Sequence, residues 1–311
     1  MGTTSRTRVL VFAVLCGASI VLWWRALVAT LGLALGNDAY THILLILPLS
    51  AAMIYLDWHI DSDRESITLR AHQRPSYGAG AALLLMALFA DGYARWGIVS
   101  AGEDIRLTLA MFGLVTWWTG GVVLCFGVRT FWRFLFPLCF LLLIVPIPDF
   151  VLRWIVEFLQ QQAAVAARLM FRAAGVPVAQ DGIRVSIPGL DIEVARECSS
   201  IRSSLMLIVT TLVLAHLFLS SWWRKVLLVA AAIPLSVAKN GLRIFTIGEL
   251  GTRVDPGFLN GKLHHNGGVV FLAISVLAVV MLLWILRQTE LPRPANTSRA
   301  VARVDSAGRQ S

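Results

Sequence analysis

Eight runs of mostly apolar residues divide this chain, and they constrain its fold more than any other feature. A bilayer's hydrocarbon core is about 30 Å thick and takes roughly 20 apolar residues per helix. The runs lie approximately at 9–30, 42–57, 77–96, 106–127, 131–147, 200–220, 225–247 and 267–286. Only 14% of the residues are charged and 57% are hydrophobic, against about 25% charged in a soluble domain. These observations predict an all-α polytopic membrane protein with about eight transmembrane helices, residues 1–288 forming one integral domain. Arg6 and Arg8 precede the first run, which outlasts a signal-peptide core and shows no cleavage site; it reads as a retained first span.

Positive charge orients the spans. If Arg6 and Arg8 are cytoplasmic, then so are Arg64, Arg70 and Arg74, Arg129 with Arg133, Arg224 with Lys225, and the tail carrying Arg287, Arg293, Arg299, Arg303 and Arg309. The intervening loops hold little positive charge at first: 36–41 has none and 99–106 has one. Both termini are thus expected on the cytoplasmic side. The net charge of +9 is dispersed between spans and in the tail, with no basic stripe interleaved with aromatics, so a nucleic-acid partner is not expected.

Two segments interrupt the alternation. Residues 150–175 are helical in character but carry Arg153, Glu157, Gln160, Gln161, Gln162, Arg168 and Arg172, and a ninth span there would invert every later loop. They are expected to lie at the interface. Then Ile183, Val185 and Ile187 alternate with polar residues, and Leu190, Ile192 and Val194 do so again after Pro188-Gly189, which predicts a small outer β-hairpin over about 182–195. Residues 289–311 are rich in Pro, Ser and Arg and read as a disordered basic cytoplasmic tail.

Cysteines stand at 16, 125, 139 and 198, with neither CxxC spacing nor a Cys/His cluster, so no metal, no other cofactor and no disulfide framework is expected. Three lie inside apolar runs, where a thiol is usually a small hydrophobe. Cys198 differs. It sits in "ARECSSIRSS", beside Arg196, Glu197, Ser199, Ser200 and Arg202, at the outer mouth of the sixth span. The seventh span reaches the same side near "KNGLRI", with Asn240 and Arg243, and the eighth leaves it just after "KLHHNGG", with His264 and His265. Each group has a plain structural explanation. A lone cysteine is usually incidental, an arginine at a helix end snorkels to headgroups, adjacent histidines can be solvated, and Ser199 or Ser200 can cap a helix.

Their shared face raises a chemical alternative. A thiolate is the reactive form of cysteine, and a helix start with neighbouring arginines favours it. An imidazole can carry the proton to a leaving amine, and a guanidinium can hold a developing oxyanion. Asn240 and Arg243 are three residues apart and share a helix face. Cys, Arg and His together point to acyl transfer from a peptide bond.

The patches "YTHILLILPLS", "ECSSIRSS", "NGLRI" and "HHNGGVVF" resemble, in that order, the exosortase/archaeosortase membrane proteins. Carried across, the resemblance implies Cys198 as nucleophile, Arg243 as its arginine partner and His264 as the imidazole, with Asn240, His265, Glu197 and Ser199 in support. The family's cysteine is often followed by Ser-Gly, where this chain has Ser199-Ser200. The resemblance further implies a protein-sorting transpeptidase of the bacterial inner membrane. Its substrates would be exported proteins ending in a short motif of the Pro-Glu-Pro type, a membrane helix and a basic cluster. The implied acceptor belongs to the envelope or to exopolysaccharide. Partners are therefore such proteins and the membrane lipid. A small-molecule transporter using Asp91, Arg95 or Arg106, a non-catalytic envelope-assembly subunit, and a hydrolase built on Ser199 or Ser200 are the competing classes.

Overall fold

A chain in lipid must satisfy its backbone polar groups internally, and the apolar runs do so as helices. The computed structural model describes residues 3–62, 75–97, 102–194, 201–254 and 262–290; the side chains of 3–5, 58–62, 97 and 262–268 lie outside that description. Among the described residues, six helices are individually long and apolar enough to cross a membrane, and two bent pairs raise the number to as many as eight.

The first expected span is one of the bent pairs. Helices α1 (Thr3–Leu22) and α2 (Trp24–Gly36) meet at 72°. The bend is held from outside the helix: Trp23 is buried against the Trp117 ring, and the Arg95 guanidinium donates to the Leu22 carbonyl at 2.5 Å. A 3₁₀ turn, Asp38–Tyr40, leads into α3 (Ile43–Ser62). Next come α4 (Tyr77–Gly92), extended by a π turn at Tyr93–Gly97, and α5 (Glu103–Phe126). These two pack with almost no gap. A Cβ at Gly80 would stand 2.6 Å from the Leu124 backbone, so only glycine allows the approach.

The fifth expected span is not one helix. It is divided into α6 (Val128–Arg133), α7 (Leu135–Phe140) and a 3₁₀ turn at Leu141–Ile144. Pro146 and Pro148 then forbid continuation, and the chain turns by 95° into α8 (Asp149–Ala173). As the charge pattern predicts, α8 is two-faced: Arg153, Glu157, Gln161 and Arg172 are exposed, while Ala163, Ala164, Ala167 and Phe171 are buried; Phe150 and Trp154 are exposed as well, and Gln160 is buried.

The expected hairpin is present as β2 (Arg184–Ile187) and β3 (Leu190–Glu193), turned at Gly189, where φ is +84°. A third strand, β1 (Ala179–Asp181), pairs antiparallel with β2. Its sequence AQD has no apolar alternation, so nothing in the pattern announces it. Val185 and Ile187 face inward onto Phe171 of α8, with Ile244 completing that small core.

Three long helices finish the chain: α9 (Ile201–Phe218), α10 (Trp222–Arg253) and α11 (Lys262–Gln288). The start of α10 is closed by a residue beyond the end of α11. Glu290 accepts the Ser220 and Ser221 N–H groups at 3.0 and 3.1 Å, and Arg224 donates to the Thr289 carbonyl at 2.7 Å. Desolvation acts to raise the Glu290 carboxyl, but those N–H groups and the Arg224 guanidinium outweigh it and hold the carboxyl below its usual value. Residues 291–311, most of the expected tail, lie outside the described chain.

Candidate active site

Side-chain bonds tie the chain segments at one end of the bundle. Arg202 of α9 pairs with Asp38 at 2.8 Å, and the Tyr40 hydroxyl donates to the Ile147 carbonyl at 2.8 Å. Thr108 of α5 donates to the Pro146 carbonyl at 2.8 Å, and Asp104 accepts the Asp149 N–H at 3.0 Å. The sheet joins this end through Gln160, whose amide donates to the Val194 carbonyl at 2.7 Å. The opposite end has its own links: His216 to Asp57 at 3.2 Å, and the Glu290 junction. The starts of α3, α5 and α9 therefore share an end, and α10 finishes there.

Helix α10 carries polar groups to that end. Its 32 residues make it about 48 Å long at 1.5 Å per residue. Besides Gly241, Ile244 and Gly248, of which the glycines face α8, its buried positions recur every three or four residues along a stripe of Leu228, Ala232, Ser236, Lys239 with Asn240, Arg243, Ile247 and Gly251. This is the spacing of one helix face. The stripe is apolar over its first two turns and polar over the next two. A Cβ at Gly241 would come within 2.5 Å of Ala166, so glycine there lets α8 and α10 cross in direct contact.

Helix α9 meets the polar part of the stripe with its first turn. The Ser236 hydroxyl donates to Ser204 at 2.6 Å, and the Lys239 ammonium donates to the Ser203 hydroxyl. Asn240 is fully buried, and Arg243 is 6% exposed. Charged groups are costly at membrane depth and are seldom retained without a purpose. The inward-facing cluster of serines, an ammonium, an amide and a guanidinium can bind an anion or an electron-rich carbonyl oxygen.

Of the residues singled out by sequence, Asn240 and Arg243 stand together on the buried stripe. Cys198, Glu197, Ser199, Ser200 and Arg196 lie outside the described residues. His264 and His265 fall in the first turn of α11, with side chains outside the description. Asp91 and Arg95, weighed for a transport path, form an i,i+4 ion pair at 2.8 Å. Among the described residues, no cluster of His, Cys, Asp or Glu suited to a metal occurs. Sequence reasoning passed over Lys239, Ser203, Ser204 and Ser236. The signal was present: in an otherwise apolar run, polar residues at 236, 239, 240 and 243 repeat at helical spacing.

A family model described as transmembrane exosortase (Exosortase_EpsH) matches residues 23–284. Comparison with curated proteins and with solved structures returns no match.

Proposed function

Because the chain belongs to the transmembrane exosortase family, we propose that its active centre is formed by Cys198, Arg243 and His264. The protein is a multi-pass membrane transpeptidase of the exosortase kind. Asn240 orients Arg243 or the substrate, and Glu197, Ser199 and His265 surround the reacting groups.

The observation that carries this assignment is the buried guanidinium of Arg243 on a membrane-spanning helix. It stands four residues, about 6 Å, beyond Lys239 along α10. Lys239 is bonded to Ser203, and Cys198 precedes Ser203 by five residues in the chain. Arg243 thus lies one helical turn past a contact made by the helix that follows Cys198 in the sequence.

The chemistry balances as follows. The Cys198 thiolate attacks the scissile carbonyl carbon, and the new oxyanion is held by Arg243. The imidazolium of His264 gives its proton to the leaving amine as the C–N bond breaks, leaving a thioester on Cys198. An acceptor amine or water then attacks that carbonyl, its proton passes to His264, and the thiolate departs. Substrates are exported proteins with a C-terminal motif, a membrane helix and a basic cluster, and the acceptor belongs to the envelope or exopolysaccharide. The centre faces the periplasmic side of the inner membrane, with both termini cytoplasmic. A substrate confined to the bilayer by its own helix has a raised effective concentration, so a short motif suffices for recognition.

The test co-expresses a tagged substrate with Cys198→Ala and Cys198→Ser. Both should stop processing; undiminished processing by the two variants overturns the assignment. Transport or assembly activity, by contrast, needs no thiol.

A further inference from the structure

The small sheet has an open edge on β3, and we propose that this edge takes the exported substrate's short extended segment as an added strand. The proposal rests on the reading above, in which the ligand is a peptide whose scissile carbonyl reaches Arg243.

Hydrogen-bond parity defines the edge. In an antiparallel pair, successive residues direct their N–H and C=O groups alternately to the two sides. The Val194 N–H donates to the Ile183 carbonyl at 3.0 Å, so Val194 faces β2, and with it Ile192 and Leu190. Asp191 and Glu193 therefore direct both backbone groups away from β2. Both residues are exposed, and among the described residues neither a strand nor a side chain meets those groups.

The spacing of the edge selects its ligand. Donor and acceptor recur on every second residue, about 6.8 Å apart at 3.4 Å per residue. An extended peptide repeats a donor and an acceptor at the same interval, whereas the groups of a helix are bonded internally. Charge commonly guards an open edge, but Glu193, one of the two carboxylates here, is paired with Arg184 at 3.3 Å. Four residues make a weak partner alone. The substrate's own membrane helix raises its local concentration, so a short match suffices.

Position ties the edge to the site. The inner face of β3 meets α10 at Gly248, where a Cβ would stand 3.0 Å from Ile192. Gly248 is five residues, about 7.5 Å, beyond Arg243 along the helix. Val194 is fully buried and its carbonyl accepts the Gln160 amide at 2.7 Å, which fixes where β3 ends. Cys198 follows Val194 by four residues, at most about 14 Å of chain. The open edge is thus on the strand from which the chain leads to Cys198.

The experiment uses the full chain with Cys198→Ala, to keep the substrate whole, and Asp191→Cys. The probe is the co-expressed tagged substrate with one cysteine moved residue by residue through the stretch before its membrane helix. Oxidation with copper phenanthroline should cross-link every second position and skip those between, because strand side chains alternate faces and opposite Cβ atoms lie about 5 Å apart. Links at consecutive positions, at every third or fourth position, at none, or only to a second copy of the chain would overturn the proposal. Activity gives a further readout. With Cys198 intact, Asp191→Pro removes an outward N–H and leaves the β2–β3 bonds in place. It should lower processing about tenfold at low substrate, the scale of one hydrogen bond, and raised substrate expression should restore it. Gln180 carries the outward N–H of the β1 edge, and Gln180→Pro should process as wild type. Equal slowing by both prolines, or by neither, counts against β3. The two readings fail separately. Processing by the Cys198→Ala chain removes the nucleophile and leaves alternating cross-links standing; an inert Cys198→Ala chain without alternation removes the added strand and leaves the nucleophile.

Discussion

The α4–α5 pair and the α9–α10 pair are both antiparallel helix contacts, made in opposite ways. In the first, the backbone at Gly80 presses on Leu124, and the seam is filled by glycine, alanine and leucine. In the second, hydroxyls and an ammonium face one another: Ser236 with Ser204, Lys239 with Ser203. Lipid tails are as apolar as leucine, so close fit is what holds the first pair. The second pair places polar groups where desolvation is costly and then satisfies them with one another. A seam of the first kind suits support, and a seam of the second kind suits chemistry.

Substitutions can break this contrast, and the largest effect is expected at its polar pole. Arg243→Gln should lower substrate processing by about 10²–10³-fold, the usual cost of losing one oxyanion donor. Its melting temperature, measured alongside by differential scanning fluorimetry, should move little. A matching collapse of stability would place Arg243 with the scaffold instead. At the apolar pole the signs reverse. Gly80→Val forces a side chain into the Leu124 backbone and should cost about 1–3 kcal/mol or more by chemical denaturation, while protein that still folds retains its specific activity.

A finer test separates the seams by coupling. Ser204→Ala and Ser236→Ala should each cost about 1 kcal/mol, and the double variant should cost less than the two added together, because one hydrogen bond is lost. Strict additivity in that cycle would remove the bond as a stabilising contact. The smallest expected effect lies at the far end of α10. The Glu290 carboxyl is held below its usual value, so its contribution is fully present above about pH 4.3, the ordinary range, and is lost as pH falls through the lowered value. Hydrogen exchange at Ser220 and Ser221 should accelerate over that acid window, and Glu290→Gln should remove the acid dependence.

Sequence revealed the seams unevenly. Long apolar runs and the arginines between them announce the spans, because lipid imposes length and the interface imposes charge. The polar face of α8 and the hairpin turn at Pro188-Gly189 were equally readable. The break at Trp23 was not, since it falls within an apolar run and is held by a partner far along the chain, Arg95; at Phe134 the nearby Arg129 and Arg133 read as a loop charge and not as a break inside a span. Asn240 and Arg243 were visible as residues near a helix end. Lys239 was passed over because one cation in an apolar run weighs little in a hydropathy reading. Its meaning appears only when Ser203, 36 residues earlier, comes beside it.

The Glu290 junction has a mechanical consequence. A helix clamped at its first turn answers a push at its distant end by swinging, with the clamp as fulcrum. Arg243 lies about 30 Å from that fulcrum, so a swing of about 3° carries the guanidinium about 1.6 Å. Positional errors of about that size are enough to slow an enzyme severely. If Arg243 acts as proposed, the Glu290 carboxylate helps set where the helix that carries it begins.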